Sequence, residues 1–255
     1  MLEQIFTTVV KRPYVFIFLI SFLFLGFRRF GWRRTLFWLI SCYTVAWLSE
    51  YSSIHNGFPY GLYKYRYDNL AGEMLIAGVP WFDSLSYPFL IFAGFSLFEE
   101  IKKSKGSILI LTLGGGLLTM LLDVIIDPVA TMGDRWFLGS IHYYVYPGFY
   151  FGVPLTNFAG WFLTAAVAIL VNLVAWKHLP FLKTTDRRQT TFDKICIPLF
   201  YSGIALFMIS ISAYLKEYLL MASSLIILTT ILGIYFKNRS LDETTSKSQM
   251  HDECC

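Results

Sequence analysis

Seven stretches of this chain carry no Asp, Glu, Lys or Arg: Pro13–Phe27, Thr35–Ser49, Ser84–Phe98, Ser107–Leu122, Trp136–Trp176, Ile195–Leu215 and Tyr218–Phe236. Nothing else in the sequence restricts the fold so tightly. A helix needs roughly 20 apolar residues to cross the hydrocarbon core of a bilayer. The last two stretches reach that length alone, and the shorter ones reach it when their ends take in a neighbouring acid. Backbone polar groups in lipid must be paired internally, so spans are helices or closed barrels. These apolar runs are continuous rather than alternating, which selects helices. The expectation is an all-α integral membrane protein with about seven transmembrane helices, near 13–30, 33–51, 80–100, 107–126, 152–176, 195–215 and 218–236. The first is not a cleaved signal: Arg28, Arg29, Arg33 and Arg34 follow it, with no small-x-small cleavage site.

Charge then orients the spans. With 56% hydrophobic and only 15% charged residues, the chain falls well below the roughly 25% charge of soluble domains. Seven spans put six of its basic residues on the N-terminal side and fifteen on the other. The positive-inside rule makes the fifteen cytoplasmic, so the N-terminus lies outside and the C-terminus inside. The expected location is the cell (plasma) membrane, multi-pass. The net charge of +4 thus reflects topology, and no nucleic-acid footprint appears. Residues 1–236 form one transmembrane domain, and 237–255 read as a polar, disordered cytoplasmic tail. Cys42 and Cys196 lie in or beside apolar spans and read as buried structural residues. The terminal Cys254-Cys255 pair does not match the C-a-a-X lipidation pattern.

Two long loops, about 52–79 and 127–151, face the same side and are rich in Gly, Pro and Tyr. One closes with Gly78-Val79-Pro80-Trp81-Phe82-Asp83 and the other with Gly152-Val153-Pro154-Leu155-Thr156-Asn157. Proline suits the first turn of a helix, so each loop runs into a span with a polar residue one turn in. Glu50 precedes Gly78 by 28 residues, and Asp123 precedes Gly152 by 29. The pattern suggests an internal parallel repeat, 33–100 against 107–176; chance is the alternative, because GVP is short.

An alternating topology brings Glu50, Asp83, Asp123, Asp127 and Asn157 to one membrane face, with His55 and His142 in the loops above. Ionisable groups in spans are costly and usually face a cavity or a partner. Asp123 and Asp127 are i,i+4 and share a helix face. Two close carboxylates in a low dielectric do not both ionise easily, so one is expected to keep its proton and serve as an acid. The competing view is a set of interfacial acids exposed to water. The two histidines show no H-x-x-x-H, E-x-x-H or H-E-x-x-H spacing, so no metal is expected. Tyrosines crowd the same loops, either as an interfacial belt or as faces for a cation. Gly114-Gly115-Gly116 lies inside a span, where close helix packing is the better account than phosphate binding. The final span has no lysine of the kind a retinal pigment needs.

The motifs Gly57-Phe58-Pro59-Tyr60-Gly61-Leu62-Tyr63-Lys64-Tyr65, Gly78-Val79-Pro80, Asp123-Val124-Ile125-Ile126-Asp127-Pro128-Val129-Ala130 and Tyr150-Phe151-Gly152-Val153-Pro154-Leu155-Thr156-Asn157-Phe158-Ala159-Gly160-Trp161, with Glu50 and Trp136, resemble a known family. This is the membrane carotenoid biosynthesis proteins that include the carotenoid 1,2-hydratases. The resemblance covers about residues 35–176, and the last two spans only by hydropathy. Trp81-Phe82-Asp83-Ser84 departs from the motif pattern, so Asp83 is placed in the site by its position in the chain and not by the resemblance. The resemblance implies addition of water across the terminal C1=C2 bond of a linear carotenoid, giving a tertiary alcohol. Its partners are then a lipophilic carotenoid, water and membrane lipid, with no cofactor. The resemblance does not fix the roles; for such a reaction we assign the acid to Asp123 or Asp127 and the base or water holder to Glu50. Tyr60, Tyr63 and Trp161 line the pocket, Asn157 orients a hydroxyl or water, and Asp83, His55 and His142 complete the substrate site. A carotenoid end-group cyclase and a non-catalytic carotenoid or polyisoprenoid binding or transport protein are the alternatives.

Overall fold

The computed structural model describes residues 1–102, 107–183 and 190–252. Cys254 and Cys255 lie outside the described residues, as do Lys103, Lys105, Arg187 and Arg188 from the charge count. Eight α-helices are found among the described residues: α1 Leu2–Lys11, α2 Pro13–Arg29, α3 Trp32–Asn56, α4 Trp81–Lys102, α5 Ile108–Thr131, α6 Leu155–His178, α7 Thr191–Tyr214 and α8 Tyr218–Asp252. The backbone of α8 continues through much of the segment read as a tail. Five helices, α4 to α8, are long and apolar enough to cross a membrane. The pair α1 and α2 also qualifies together but is bent by 93°. The 25 residues of α3 have the length, but Arg33, Arg34 and Glu50 lower its hydropathy.

The bend follows from Arg12-Pro13. Arg12 leaves the helical region (φ −122°, ψ 46°) and Pro13 opens α2 at the first position, where its missing N–H costs nothing. That corner holds both long loops. Arg12 is buried and donates from Nε and Nη2 to Glu73 at 3.0 and 2.8 Å, and from Nη1 to the Leu138 carbonyl at 2.5 Å. Lys11 Nζ donates to the Ala71 carbonyl, and the Met74 N–H donates to Thr8 Oγ1. The two loops therefore sit at the same end of the helical bundle.

The central post is α4, packed against α2, α3, α5 and α7. Of its apolar window 78% is buried, against 28% for α8 at the periphery. The three glycines of α5 do let helices close up. A Cβ at Gly115 would stand 3.1 Å from Phe95 Cα and 2.8 Å from Ile169, and one at Gly116 would stand 3.2 Å from the Phe162 carbonyl.

Short strands link the loops. β1 (Tyr63–Tyr65) pairs antiparallel with β4 (His142–Tyr144), setting Tyr63 opposite Tyr144 and Tyr65 opposite His142. Side chains alternate along a strand, so Tyr63, Tyr65 and Tyr144 are buried while Lys64 and Tyr143 face outward. Each loop then makes the same turn. β2 (Leu75–Ile76) and β3 (Val79–Pro80) form a hairpin over Ala77 and Gly78, at φ 50° and 83°. A bridge from Tyr150 to Val153 closes over Phe151 and Gly152, at φ 49° and 84°. Two consecutive left-handed residues make the two-residue turn that suits the twist of a hairpin. The shared GVP letters thus correspond to a shared backbone.

Candidate active site

Two polar residues on α3 and α4 form one side of the site. Glu50, near the end of α3, is 2% exposed, and its Oε2 accepts a hydrogen bond from Ser84 Oγ on α4. Asp83, also in the first turn of α4, accepts from the Tyr65 hydroxyl at 2.8 Å. The Tyr65 and Tyr63 hydroxyls are 3.3 Å apart.

The other side comes from α5 and α6. Asp123 and Asp127 lie one turn apart on α5, 1% and 8% exposed. Asn157, in the first turn of α6, reaches back to both: its Nδ2 donates to Asp123 Oδ2 at 2.7 Å and Asp127 Oδ2 at 3.2 Å. The Tyr144 hydroxyl donates to Asp127 Oδ2 at 2.6 Å, and His142 Nε2 stands 3.6 Å from Asp127 Oδ1. The two sides are joined across the β1–β4 pairing: Tyr65, whose hydroxyl reaches Asp83, stands opposite His142, which lies against Asp127.

Aromatic rings line the group beneath the loops. Tyr87 and Trp161 stack at 4.1 Å with 3° between their planes, and Tyr60 lies 6.2 Å from each. Tyr60 enters because Gly160 has no side chain; a Cβ there would lie 2.6 Å from the Tyr60 ring. The Tyr60 hydroxyl donates to Thr164, which donates on to Ser49. Burial raises the phenol pKa of Tyr60, Tyr63, Tyr65 and Tyr144, and the neighbouring carboxylates push the same way. These hydroxyls remain neutral donors. The donor set offers proton chemistry beside an apolar, π-rich wall.

Nearly all the expected residues therefore meet: Glu50, Asp83, Asp123, Asp127, Asn157, Tyr60, Tyr63, Trp161 and His142. His55 does not join them. It is exposed, held by its Nδ1 to the Tyr51 carbonyl at 2.7 Å with its ring against Tyr51. Ser84 and Tyr87 join the cluster without having been singled out for it, and Tyr65 and Tyr144 were among the loop tyrosines read as either belt or cation face. Tyr65 and Tyr144 had a signal: period-two alternation puts Tyr65 on the face of Tyr63. Tyr87 is i+4 to Asp83. Ser84 carried no signal that separates it from other helical serines.

A sequence model of the family described as carotenoid biosynthesis protein matches residues 10–232. The chain belongs to that family. The matched range takes in every residue of the site. This carotenoid biosynthesis protein is also 29% identical over 140 residues to the bisanhydrobacterioruberin hydratase of Haloarcula japonica. That alignment covers 54% of this chain and 45% of the relative, so the chain spans less than half of the relative's length. No solved structure matches the chain.

Proposed function

We propose that this carotenoid biosynthesis protein is a hydratase that adds water across the terminal C1=C2 bond of a linear carotenoid. One observation carries that function: three buried carboxylates, Glu50, Asp123 and Asp127, and the half-buried Asp83 converge from three helices, each with a hydroxyl or amide donor, beside a stacked Tyr87–Trp161 pair. Asp123 and Asp127 share a proton, because two adjacent carboxylates in a low dielectric do not both ionise. The protonated member gives that proton to C2. The tertiary cation left at C1 lies against the faces of Trp161, Tyr87 and Tyr60, which oppose a positive charge with their π density. Glu50, oriented by Ser84, holds a water and takes its proton as the oxygen bonds to C1. Alkene plus water gives alcohol with no net redox change, so the balance needs no redox cofactor. The hydratase named among the relatives supports the same chemistry.

In this reading the seven helices α2 to α8 span the plasma membrane, with the N-terminus and both loops outside and α1 lying along the interface. The two loop-and-span halves form an internal repeat, which the matching turns support. The test is to reconstitute the purified chain with a linear carotenoid and weigh the product. A gain of one water per modified end is expected. A product of unchanged mass but altered absorption would mean cyclisation, and pigment recovered unaltered would mean binding alone.

A further inference from the structure

If the chain is a hydratase, its catalytic cycle leaves a proton in the wrong place. The carboxyl on α5 loses one to C2 as the C1=C2 π bond breaks. Water forms the C1–O bond and gives one to the Glu50 side. No proton is consumed overall, yet the α5 pair ends one proton short and the Glu50–Asp83 side one proton over. Glu50 and Asp123 are 2% and 1% exposed, so direct exchange of either with bulk water is obstructed. An internal return would close the cycle without either of these two buried groups exchanging with bulk water.

We propose that His142 carries the proton back from the Glu50–Asp83 side to the Asp123–Asp127 pair. This rests on the hydratase reading and assigns His142 as a relay, not a substrate contact. Its Nε2 is 3.6 Å from Asp127 Oδ1. In the β1–β4 register it stands directly opposite Tyr65, whose hydroxyl donates to Asp83. The Tyr63 hydroxyl, 3.3 Å from that of Tyr65, extends the line, and the Tyr63 ring lies edge-on to the imidazole at 5.8 Å. An imidazole accepts on one nitrogen and releases from the other near neutral pH. Asn157 joins only Asp123 to Asp127, within the α5 pair, and its amide has no proton to pass at any working pH. The 3.6 Å gap is closed by a small swing of the ring or by one water.

The test compares the first turnover with later ones, using the whole chain in lipid nanodiscs preloaded with a linear carotenoid. His142→Gln and His142→Ala should each still give a burst of one hydrated product per chain, with the first turnover affected far less than the later ones. Later turnovers should then fall about 10²-fold, the scale of a lost proton-transfer group, and added imidazole should restore them. Equal steady-state rates for native and variant chains would overturn the relay. So would a parallel loss of first and later turnovers without imidazole rescue, which marks a structural role. If the native chain forms no hydrated product, the hydratase reading itself fails. Hydration by the native chain with an indifferent His142 would sink only the relay.

Discussion

The two halves of the site share a framework and differ in how they place charge. In each, a span delivers an acid, a strand turns tyrosine inward, and the same left-handed hairpin leads into a helix with a polar first turn. In the α3–α4 half the carboxylates sit on different helices, and each has its own donor: Ser84 for Glu50, Tyr65 for Asp83. In the α5–α6 half both carboxylates sit on one helix and share Asn157, with Tyr144 and His142 added at Asp127. The divergence is sharpest at one matched position. Asp83 and Asn157 occupy the same place after their GVP turns, but an aspartate accepts hydrogen bonds and an asparagine amide also donates. One half therefore keeps its two carboxylates on separate helices with separate donors, and the other crowds two carboxylates on one helix face under a single shared amide.

The largest effect should come from breaking this division chemically. Asp123→Asn is expected to lower hydration by about 10²–10⁴-fold, the range for a lost general acid. Deuterium entry into the carotenoid in heavy water should fall in step, since the cation forms that much more slowly. Glu50→Gln should lose hydration on a similar scale but keep deuterium uptake, because protonation still occurs and the cation reverts by losing a proton. Mass spectrometry of the recovered pigment reads both. If both variants keep or both lose the label, the halves do not divide the work.

How far this site was legible in the sequence depends on the range of each contact. The helices, the same-side loops and Asp123 with Asp127 followed from apolar runs and i,i+4 spacing, all local. The meeting of Glu50, Asp83 and Asn157 followed from alternation of the spans. The β1–β4 pairing did not: it joins residues about eighty positions apart, and no local pattern states a register. That pairing is what carries Tyr65 to Asp83 and Tyr144 to Asp127. The Arg12–Glu73 corner was likewise hidden, because it joins residues 61 positions apart and no local pattern pairs them. His55 misled for the opposite reason: its place at the end of α3 matched the site, but its side chain faces away.

A smaller effect should sharpen the comparison of donors. Tyr65→Phe removes the hydroxyl that Asp83 accepts from, whereas Tyr144→Phe leaves Asp127 with Asn157 and His142. A hydrogen bond to a charged group contributes about 1.5–3 kcal/mol. Tyr65→Phe should therefore approach that range in thermal or denaturant unfolding, and Tyr144→Phe should cost less. Equal losses would mean that the extra partners of Asp127 do not compensate.

The smallest effect tests whether the two hairpins are one turn used twice. Gly78 and Gly152 hold φ 83° and 84°, where a side chain costs roughly 1–2 kcal/mol. The backbone penalty should thus be the same for Gly78→Ala and Gly152→Ala. The surroundings are not the same. A Cβ at Gly152 meets nothing within 4 Å, while one at Gly78 would lie 3.0 Å from the Tyr67 hydroxyl. Tyr67 is exposed and its hydroxyl is at the end of a side chain that can shift, so the excess at Gly78 should stay small. Unfolding measurements on the two variants should differ by a few tenths of a kcal/mol at most, the scale of a minor surface change. A gap larger than the common penalty would show that the turns carry different loads despite their equal angles.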